Sequence, residues 1–398
     1  MAGAGGAALA GLVAVAAGPA SAQPLACGTT LTASVTLTAN LDCSADTTTS
    51  ALIIGAAGVT VNLGGHKIIG PGATAETIGI DDTAGYSDLT VEYGTLSDFY
   101  ADVSAEGTET TSLTGLLVKK ITTTTSVPGV DYTGVYGDYL DGAGIHSVTA
   151  DDPYFGVDLD NSLDSTVSYS HAVNADYGFY DYSGTGNTWS HNTVVNAEYG
   201  IVDASASGTT IKANTVSGYY YGIFDNGPGS VISGNHLSNL YIAIYQEYAT
   251  GGTVSRNSGT GNAWGIYAFE PSEETYTGNS FGSGQVGIET DYPQSETLTG
   301  NVTSHNSSTG VYIFSNGAAT GYAATMNGNT GSYNRFGLYS QFLTSGTGNH
   351  ATGNKVINCY NVTCAAAAGA RSGSAGVTGP RHRVPRPPAL PARPPHVR

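Results

Sequence analysis

The sequence predicts an all-β fold, a right-handed parallel β-helix with about 22 residues and three short strands per coil. A glycine, replaced once by alanine, precedes an apolar residue at intervals of mostly 21 to 23 residues: Gly156, Gly178, Gly200, Gly222, Ala243, Gly265, Gly287, Gly310 and Gly337. An asparagine keeps step with it: Asn192, Asn214, Asn235, Asn257, Asn279, Asn301 and Asn329. Two markers in phase at this period indicate a solenoid.

Three apolar rows accompany these markers. One lies three residues before the asparagine: Trp189, Ile211, Ile232, Val254, Tyr276, Leu298 and Met326. A second lies two residues after it, and the third follows the glycine directly. Polar or small residues flank each apolar position, and this alternation of apolar and polar residues is typical of strands. Parallel strands about 4.8 Å apart would turn each row into a buried ladder. The asparagines would stack at one corner, with each amide bonded to the next coil.

Charge is distributed unevenly along the chain. All 31 acidic residues lie between Asp42 and Glu296, and six of the 13 basic residues lie beyond Cys364. The repetitive part therefore carries 31 acidic against seven basic residues, a net charge of −24. Such a body repels nucleic acid and anionic lipid, and a polyanionic polysaccharide would need a local basic patch or bridging cations. No later stretch is apolar enough for a membrane span. The protein is expected to be a monomer.

Four segments are predicted. Residues 1–22 resemble a secretory signal peptide ending in Ala20-Ser21-Ala22, which predicts a secreted or cell-surface protein. Residues 23–50 would form an N-terminal cap, 51–364 the β-helix, and 365–398 a disordered Ala/Pro/Arg-rich tail, with a basic tether as the alternative. Two local disulfides are expected in an exported chain, Cys27 with Cys43 and Cys359 with Cys364. The stretch 71–143 keeps the register poorly, which predicts longer loops there.

The stretch GVTVNLGGHKI, from Gly58 to Ile68, follows a cysteine-bounded start and precedes coils marked by glycine and asparagine. This arrangement resembles secreted right-handed β-helix proteins of the pectin-lyase-like superfamily, over roughly residues 27–364. The resemblance implies the fold and leaves the activity open, because the superfamily includes lyases, hydrolases, epimerases and adhesins. The Arg-centred motif of its calcium-dependent pectate lyases and the companion motifs of its polygalacturonases are missing from this sequence.

Three aspartates are the candidate catalytic residues. Asp181, Asp203 and Asp225 each lie three residues after the repeated glycine and would stack on successive coils. Glycosidase chemistry requires two carboxylates within about 5 to 10 Å of each other, and crowded carboxylates also attract Ca²⁺. The alternative is structural, with each aspartate accepting backbone N–H bonds in its turn.

A row of aromatic residues supplies the candidate substrate-binding site. Its members lie two residues after the glycine position, opposite the buried row: Tyr180, Phe224, Tyr245, Tyr267, Tyr312 and Tyr339. Outward rings could stack against the faces of sugars along an extended chain. The alternative is ring packing between coils that stiffens the sheet.

These observations favour a protein that binds extracellular polysaccharide along an acidic, tyrosine-lined face. One alternative is a carbohydrate-active enzyme, a polysaccharide lyase or glycoside hydrolase, that uses the aspartate row with Ca²⁺ as a possible cofactor. The other is a structural adhesin or spacer at the cell surface.

Overall fold

A computed structural model of the protein describes residues 25–127, 129–130, 132–316 and 321–365. The predicted signal peptide and nearly all of the predicted tail lie outside these ranges. Within them the regular structure is β-strand, apart from one 3₁₀ helix at Ala73–Ala75. No helix in the described ranges is long and apolar enough to cross a membrane.

The strands form three parallel sheets, and most coils contribute one strand segment to each sheet. The first sheet contains β1 (Thr29–Leu31), β4 (Leu52–Ile54), β7 (Ile78–Asp82), β9 (Ala101–Glu106), β12 (Thr133–Asp138), β16 (Phe155–Asp160), β19 (Tyr177–Tyr182), β21 (Thr193–Ala204), β23 (Thr215–Asp225), β26 (Ile242–Glu247), β29 (Trp264–Phe269), β32 (Val286–Asp291), β35 (Thr309–Phe314), β38 (Phe336–Ser340) and β39 (Ile357–Tyr360).

The second sheet contains β2 (Val35–Thr36), β5 (Thr60–Asn62), β8 (Thr90–Ser97), β11 (Leu117–Thr124), β14 (Gly144–His146), β17 (Thr166–Ser168), β20 (Thr188–Ser190), β22 (Thr210–Lys212), β24 (Val231–Ser233), β27 (Thr253–Ser255), β30 (Thr275–Thr277), β33 (Glu296–Thr299) and β36 (Ala324–Asn327).

The third sheet contains β3 (Leu41–Asp42), β6 (Lys67–Ile69), β15 (Thr149–Asp151), β18 (His171–Val173), β25 (His236–Ser238), β28 (Ser258–Thr260), β31 (Ser280–Gly282), β34 (Val302–Ser304) and β37 (Thr330–Ser332). The long strands β8, β11, β21 and β23 turn a corner and contribute to two sheets. A small separate pair joins β10 (Leu113–Thr114) to β13 (Leu140–Asp141).

The register confirms the predicted right-handed parallel β-helix. In the first sheet Phe155 pairs with Tyr177 and Tyr177 with Tyr199, so one coil is 22 residues long. The repeated glycine lies at a bend where neighbouring coils touch. A Cβ atom at Gly178 would lie 2.5 Å from the carbonyl oxygen of Gly200, so no larger residue fits without displacing the backbone.

The asparagine ladder is also confirmed. The Asn235 side-chain amide donates to the Asn257 side-chain oxygen at 2.9 Å. The Asn257 amide donates in turn to the Ile232 carbonyl at 2.9 Å and to the Asn279 side-chain oxygen at 3.0 Å. These bonds satisfy buried turn groups and join consecutive coils. A second asparagine ladder, which the sequence did not predict, contains Asn306, Asn334 and Asn354.

The prediction of loops in 71–143 is wrong for most of that stretch. Strands β7, β9 and β12 continue the first sheet, with Ile78 paired to Ala101 and Ala101 to Thr133. The second of these coils is longer than 22 residues because it also contains β10 and a turn closed by Thr108 and Thr111. These additional residues break the 22-residue period there, so the sequence shows no regular repeat at this coil.

Both predicted disulfides are present. Cys27 is bonded to Cys43, and Cys359 to Cys364. Strands β1 to β3, inside the segment predicted as a cap, already pair in parallel with β4 to β6. The first disulfide therefore fastens the first coil of the solenoid.

Candidate functional site

The three candidate aspartates stack on consecutive coils as predicted. Asp181 pairs with Asp203, and Asp203 with Asp225, in the parallel register of the first sheet. Their position faces the interior, because other coils fill it with Leu159, Ala268 and Ile313, all members of the main hydrophobic core. All three aspartates are fully buried.

Neutral donors surround these carboxyls. Asp181 accepts bonds from the Asn187 amide at 3.0 Å and from the Trp189 indole N–H at 3.1 Å. The Ser230 hydroxyl donates to Asp203 at 3.0 Å, while Gln246 donates to Asp225 at 2.8 Å. With no cation among these partners, burial dominates the electrostatics.

Burial raises the pKa of Asp181 to about 6. The pKa of Asp203 lies well above its ordinary value, because burial comes with Asp225 and Asp181 on the neighbouring rungs. Burial likewise raises the pKa of Asp225. The interior therefore favours protonated carboxyls.

Two glutamates extend this interior acidic region. Glu274 accepts the Gly252 N–H at 2.7 Å, and Glu296 accepts the Thr290 hydroxyl at 2.8 Å. Burial raises the pKa of Glu274 to about 7 and that of Glu296 to about 8. We call Asp181, Asp203, Asp225, Glu274 and Glu296 the interior carboxyls.

The interior position corrects the picture of Asp181, Asp203 and Asp225 as a catalytic row. A polymer outside the solenoid does not reach side chains packed within its core, so the solvent access required for catalysis is missing. Among the described residues, no three His, Cys, Asp or Glu side chains are grouped so that they could hold a metal ion such as Ca²⁺. Their geometry instead fits the structural alternative of hydrogen-bonded polar groups within a strand row.

The predicted aromatic row faces away from the main core, as expected, yet its rings are not open to solvent. Its six members are only 2–7% exposed: Tyr180, Phe224, Tyr245, Tyr267, Tyr312 and Tyr339. Part of the cause is a second outer row, which the bend at each glycine brings alongside. Tyr177 and Tyr221, for example, contact Tyr180 and Tyr245 at ring-centroid distances of 5.5 and 5.2 Å. The prediction of an open tyrosine face is therefore wrong, and ring packing between coils is present.

Acidic side chains interrupt these outer rows. Glu289 occupies the aromatic position in its coil and accepts the Trp264 indole N–H at 2.8 Å. Asp291, two residues on, accepts the Tyr267 hydroxyl at 3.1 Å. Burial raises the pKa of Glu289 to about 8 and that of Asp291 to about 7.

A partly exposed series of rings borders this face, and the sequence prediction missed it. We call Tyr248, Phe269, Tyr292, Phe314 and Tyr322 the aromatic rim. Successive rings contact at centroid distances of 5.5, 6.0 and 5.4 Å, and Tyr322 lies 5.7 Å from Tyr292. Tyr248 is 52% exposed. Tyr248 and Tyr292 are two coils apart in sequence, a spacing that could have revealed the rim.

A family model described as "Periplasmic copper-binding protein (NosD)" matches residues 106–285 and 204–371, together more than half of the chain. The chain belongs to the NosD family. A search of curated proteins finds no match to this NosD-family chain.

Several solved structures are similar to this NosD-family chain. The A-module of mannuronan C-5 epimerase AlgE6 from Azotobacter vinelandii is similar with a TM-score of 0.50 and 15% identity, over 86% of this chain and 92% of that one. An alginate lyase solved with a trisaccharide has a TM-score of 0.46 and 12% identity, over 70% of this chain and 80% of that one. The periplasmic alginate epimerase AlgG has a TM-score of 0.40 and 15% identity, over 84% of this chain and 78% of that one. At these identities the similarity concerns the fold alone.

Proposed function

We propose that this NosD-family chain binds a polysaccharide outside the cytoplasm, with the aromatic rim as the contact surface. The observation that carries the proposal is the continuous series of partly exposed rings from Tyr248 to Phe314 on a rigid solenoid edge. Rings of this kind offer apolar area to sugar faces, and the tyrosines add a hydroxyl group for hydrogen bonding. The fold shared with polysaccharide-modifying enzymes is compatible with this role.

The geometry of the rim suits an extended polymer. Its strand-borne rings, Phe269 and Phe314, lie in one column of the first sheet with Asp291 between them. Because coils repeat about every 4.8 Å, the rim offers contacts over roughly 14 Å along the solenoid axis. A chain of linked sugars running parallel to that axis would meet ring after ring.

The charges beside the rim favour uncharged sugars. Glu247 and Glu270 lie on the same edge, and their carboxylate oxygen atoms are suitable acceptors for sugar hydroxyl groups. An acidic sugar would meet like charges there, which weakens binding. The proposed ligand is therefore a neutral polysaccharide.

Affinity electrophoresis of the full chain in gels containing neutral glycans tests the proposal. We expect retardation by at least one neutral glycan, and about tenfold weaker binding after Tyr248→Ala with Tyr292→Ala, because each lost ring removes apolar contact. Tyr333→Ala is the matched control, since Tyr333 is also exposed and also has a left-handed backbone conformation. It lies at another corner, directly after β37, where its ring stacks on His305. Equal retardation of the wild type and the rim variant would contradict the proposal.

Turnover assays and localisation separate the two other predicted functions. A carbohydrate-active enzyme would release new reducing ends or unsaturated uronate, and Asp203→Asn would abolish that activity. An adhesin or spacer would show neither binding nor turnover and would stay at the cell surface. Neither alternative has a specific supporting contact among the described residues.

Copper binding, which the family description names, does not fit the described residues. All four cysteines are bonded in disulfides, and Met326 is fully buried in the core. Copper sites in proteins use groups of thiolate, thioether or imidazole ligands. The described part of the chain holds no such group, so no step is assigned to copper.

A further inference from the structure

We infer that one corner of the solenoid is a second binding site, specific for an acidic polysaccharide. This corner joins the second sheet to the third, away from the aromatic rim. Five of the seven Lys and Arg residues between positions 25 and 365 lie on it, and we call them the basic corner: Lys67, Lys119, Lys120, Lys212 and Arg256. The inference goes beyond the proposed function, because it concerns another surface and another ligand charge.

The strand register places these cations in adjacent columns. Lys212 is the last residue of β22, and Lys119 occupies the same register position within β11, joined to Lys212 through the intervening rungs. Lys120 and Arg256 are left-handed residues that directly follow this register position, Lys120 at the corner within β11 and Arg256 after β27. Lys67 begins a third-sheet strand just past the same bend. From Lys120 to Arg256 is six coils, which is about 29 Å at the spacing of parallel strands.

The cations are available to a ligand. Lys67, Lys120, Lys212 and Arg256 are exposed. The one salt bridge found in the described ranges is that of Lys119 with Glu92 at 2.9 Å, so the other four have no such partner there. From Thr166 to Ser280, all described residues, the corner positions hold no Asp or Glu. At physiological salt the acids on other faces are screened beyond about 8 Å.

Aromatic rings share this corner. Tyr93 and Tyr169 are 57% and 60% exposed, and Tyr169 stacks on His191 at 4.9 Å with an angle of 14° between the rings. Stacked rings beside cations fit a charged sugar polymer, since the rings contact sugar faces while the cations contact carboxylate or sulfate groups.

The backbone at this bend is left-handed in several coils. Tyr93, Tyr169, His191 and Arg256 have φ of 52 to 57°. In later coils the same bend position is glycine, which adopts this conformation without steric cost: Gly278, Gly300 and Gly328. Left-handed residues also occur at other turns of the solenoid, among them Tyr248, Tyr292 and Tyr333.

The spacing of the charges favours a polysaccharide over nucleic acid. Lys212 and Arg256 are two coils apart, about 10 Å at strand spacing, which suits a polymer with widely separated charges. Duplex DNA carries one charge per roughly 1.7 Å, a far denser array than these cations can match. The corner is also one edge of a rod and not a broad surface for a membrane.

Affinity electrophoresis of the full chain against polygalacturonate, a probe polyanion, tests the inference. We expect Lys212→Gln with Arg256→Gln to weaken binding about tenfold, because two surface ion pairs contribute roughly threefold each. Arg335→Gln with Lys355→Gln removes the same charge elsewhere and should leave binding unchanged. The charge-preserving variant, Lys212→Arg with Arg256→Lys, should bind as the wild type does. High salt should abolish binding by the wild type.

Several outcomes would overturn the inference. One is unchanged polygalacturonate binding by the Lys212→Gln/Arg256→Gln variant. Another is an equal loss of binding in the Arg335→Gln/Lys355→Gln control. A third is that DNA, or vesicles containing anionic lipid, bind as tightly as polygalacturonate. The tail arginines remain in every variant, so binding through the tail would appear as unchanged affinity. Failure here is separate from failure of the proposed function, because neutral-glycan binding depends on the Tyr248 and Tyr292 rings.

Discussion

At the scale of single residues, an interior carboxyl opposes stability at neutral pH. Glu296 is fully buried, and its Oε2 atom has no hydrogen-bond partner. Its pKa in the folded chain is about 8, above the ordinary value of 4.5 that applies when the chain unfolds. Between those two pH values folding therefore binds a proton, and the group destabilises the folded state increasingly as pH rises.

The substitution Glu296→Gln should stabilise the protein at pH 7 by about 3 kcal/mol, because the neutral amide has no proton to bind. Near pH 4 the same change should make little difference. Urea unfolding at both pH values measures the effect. Glu109→Gln, at an exposed glutamate, is the control and should do nothing at either pH. Equal effects of Glu296→Gln at the two pH values would contradict the assigned cause.

At the scale of the element, the coils are joined by more than strand pairing. Asn257 accepts bonds from the backbone and the side chain of Asn235 and donates to Ile232 and Asn279. Removing its amide leaves several buried polar groups without partners.

The substitution Asn257→Ala should destabilise the folded state by about 3 kcal/mol, since each buried unsatisfied group costs roughly 1–3 kcal/mol. Thr215→Ala, at an exposed strand position, should cost much less. The urea midpoint of each variant provides the measurement. A loss for Asn257→Ala no larger than that of the control would show that the ladder is not needed to hold the coils together.

Much of the fold followed from the sequence because glycine, asparagine and apolar residues repeat with the coil. The interior position of the aspartates was also contained in the pattern. Strand side chains alternate, so Asp181 shares a side with Phe179, which the sequence predicted as buried. This alternation places the aspartate row inside the solenoid, away from a polymer substrate.

Other parts could not be predicted from the pattern. Burial of Tyr180 involves Tyr177, and the bend at Gly178 that brings the two rows together has no separate sequence signal. The basic corner combines three different sequence positions per coil, and only the register shows that Lys67, Lys119 and Arg256 share one edge. A search for one repeated position does not find such a surface.

At the scale of the whole molecule, the interior carboxyls should make stability depend on pH. Their folded pKa values are raised, to about 6 for Asp181, 7 for Glu274 and 8 for Glu296. The stabilising effect of binding these protons is complete below the unfolded values near 4 and is lost as pH rises through 6 to 8. The melting temperature should therefore be higher at pH 5 than at pH 8.5. A melting temperature that rises over this range would contradict the buried, protonated arrangement.

The solenoid thus presents two different edges, a ring-lined rim beside acids and a cationic corner. A glycan array probed with the full chain, its Tyr248/Tyr292 variant and the Tyr333 control tests the central claim most directly. We predict that the wild type and the control bind the same neutral glycans, and that the rim variant loses them while keeping acidic glycans. Neutral-glycan binding that survives loss of both rim rings, or that is absent from the wild type, would contradict the account.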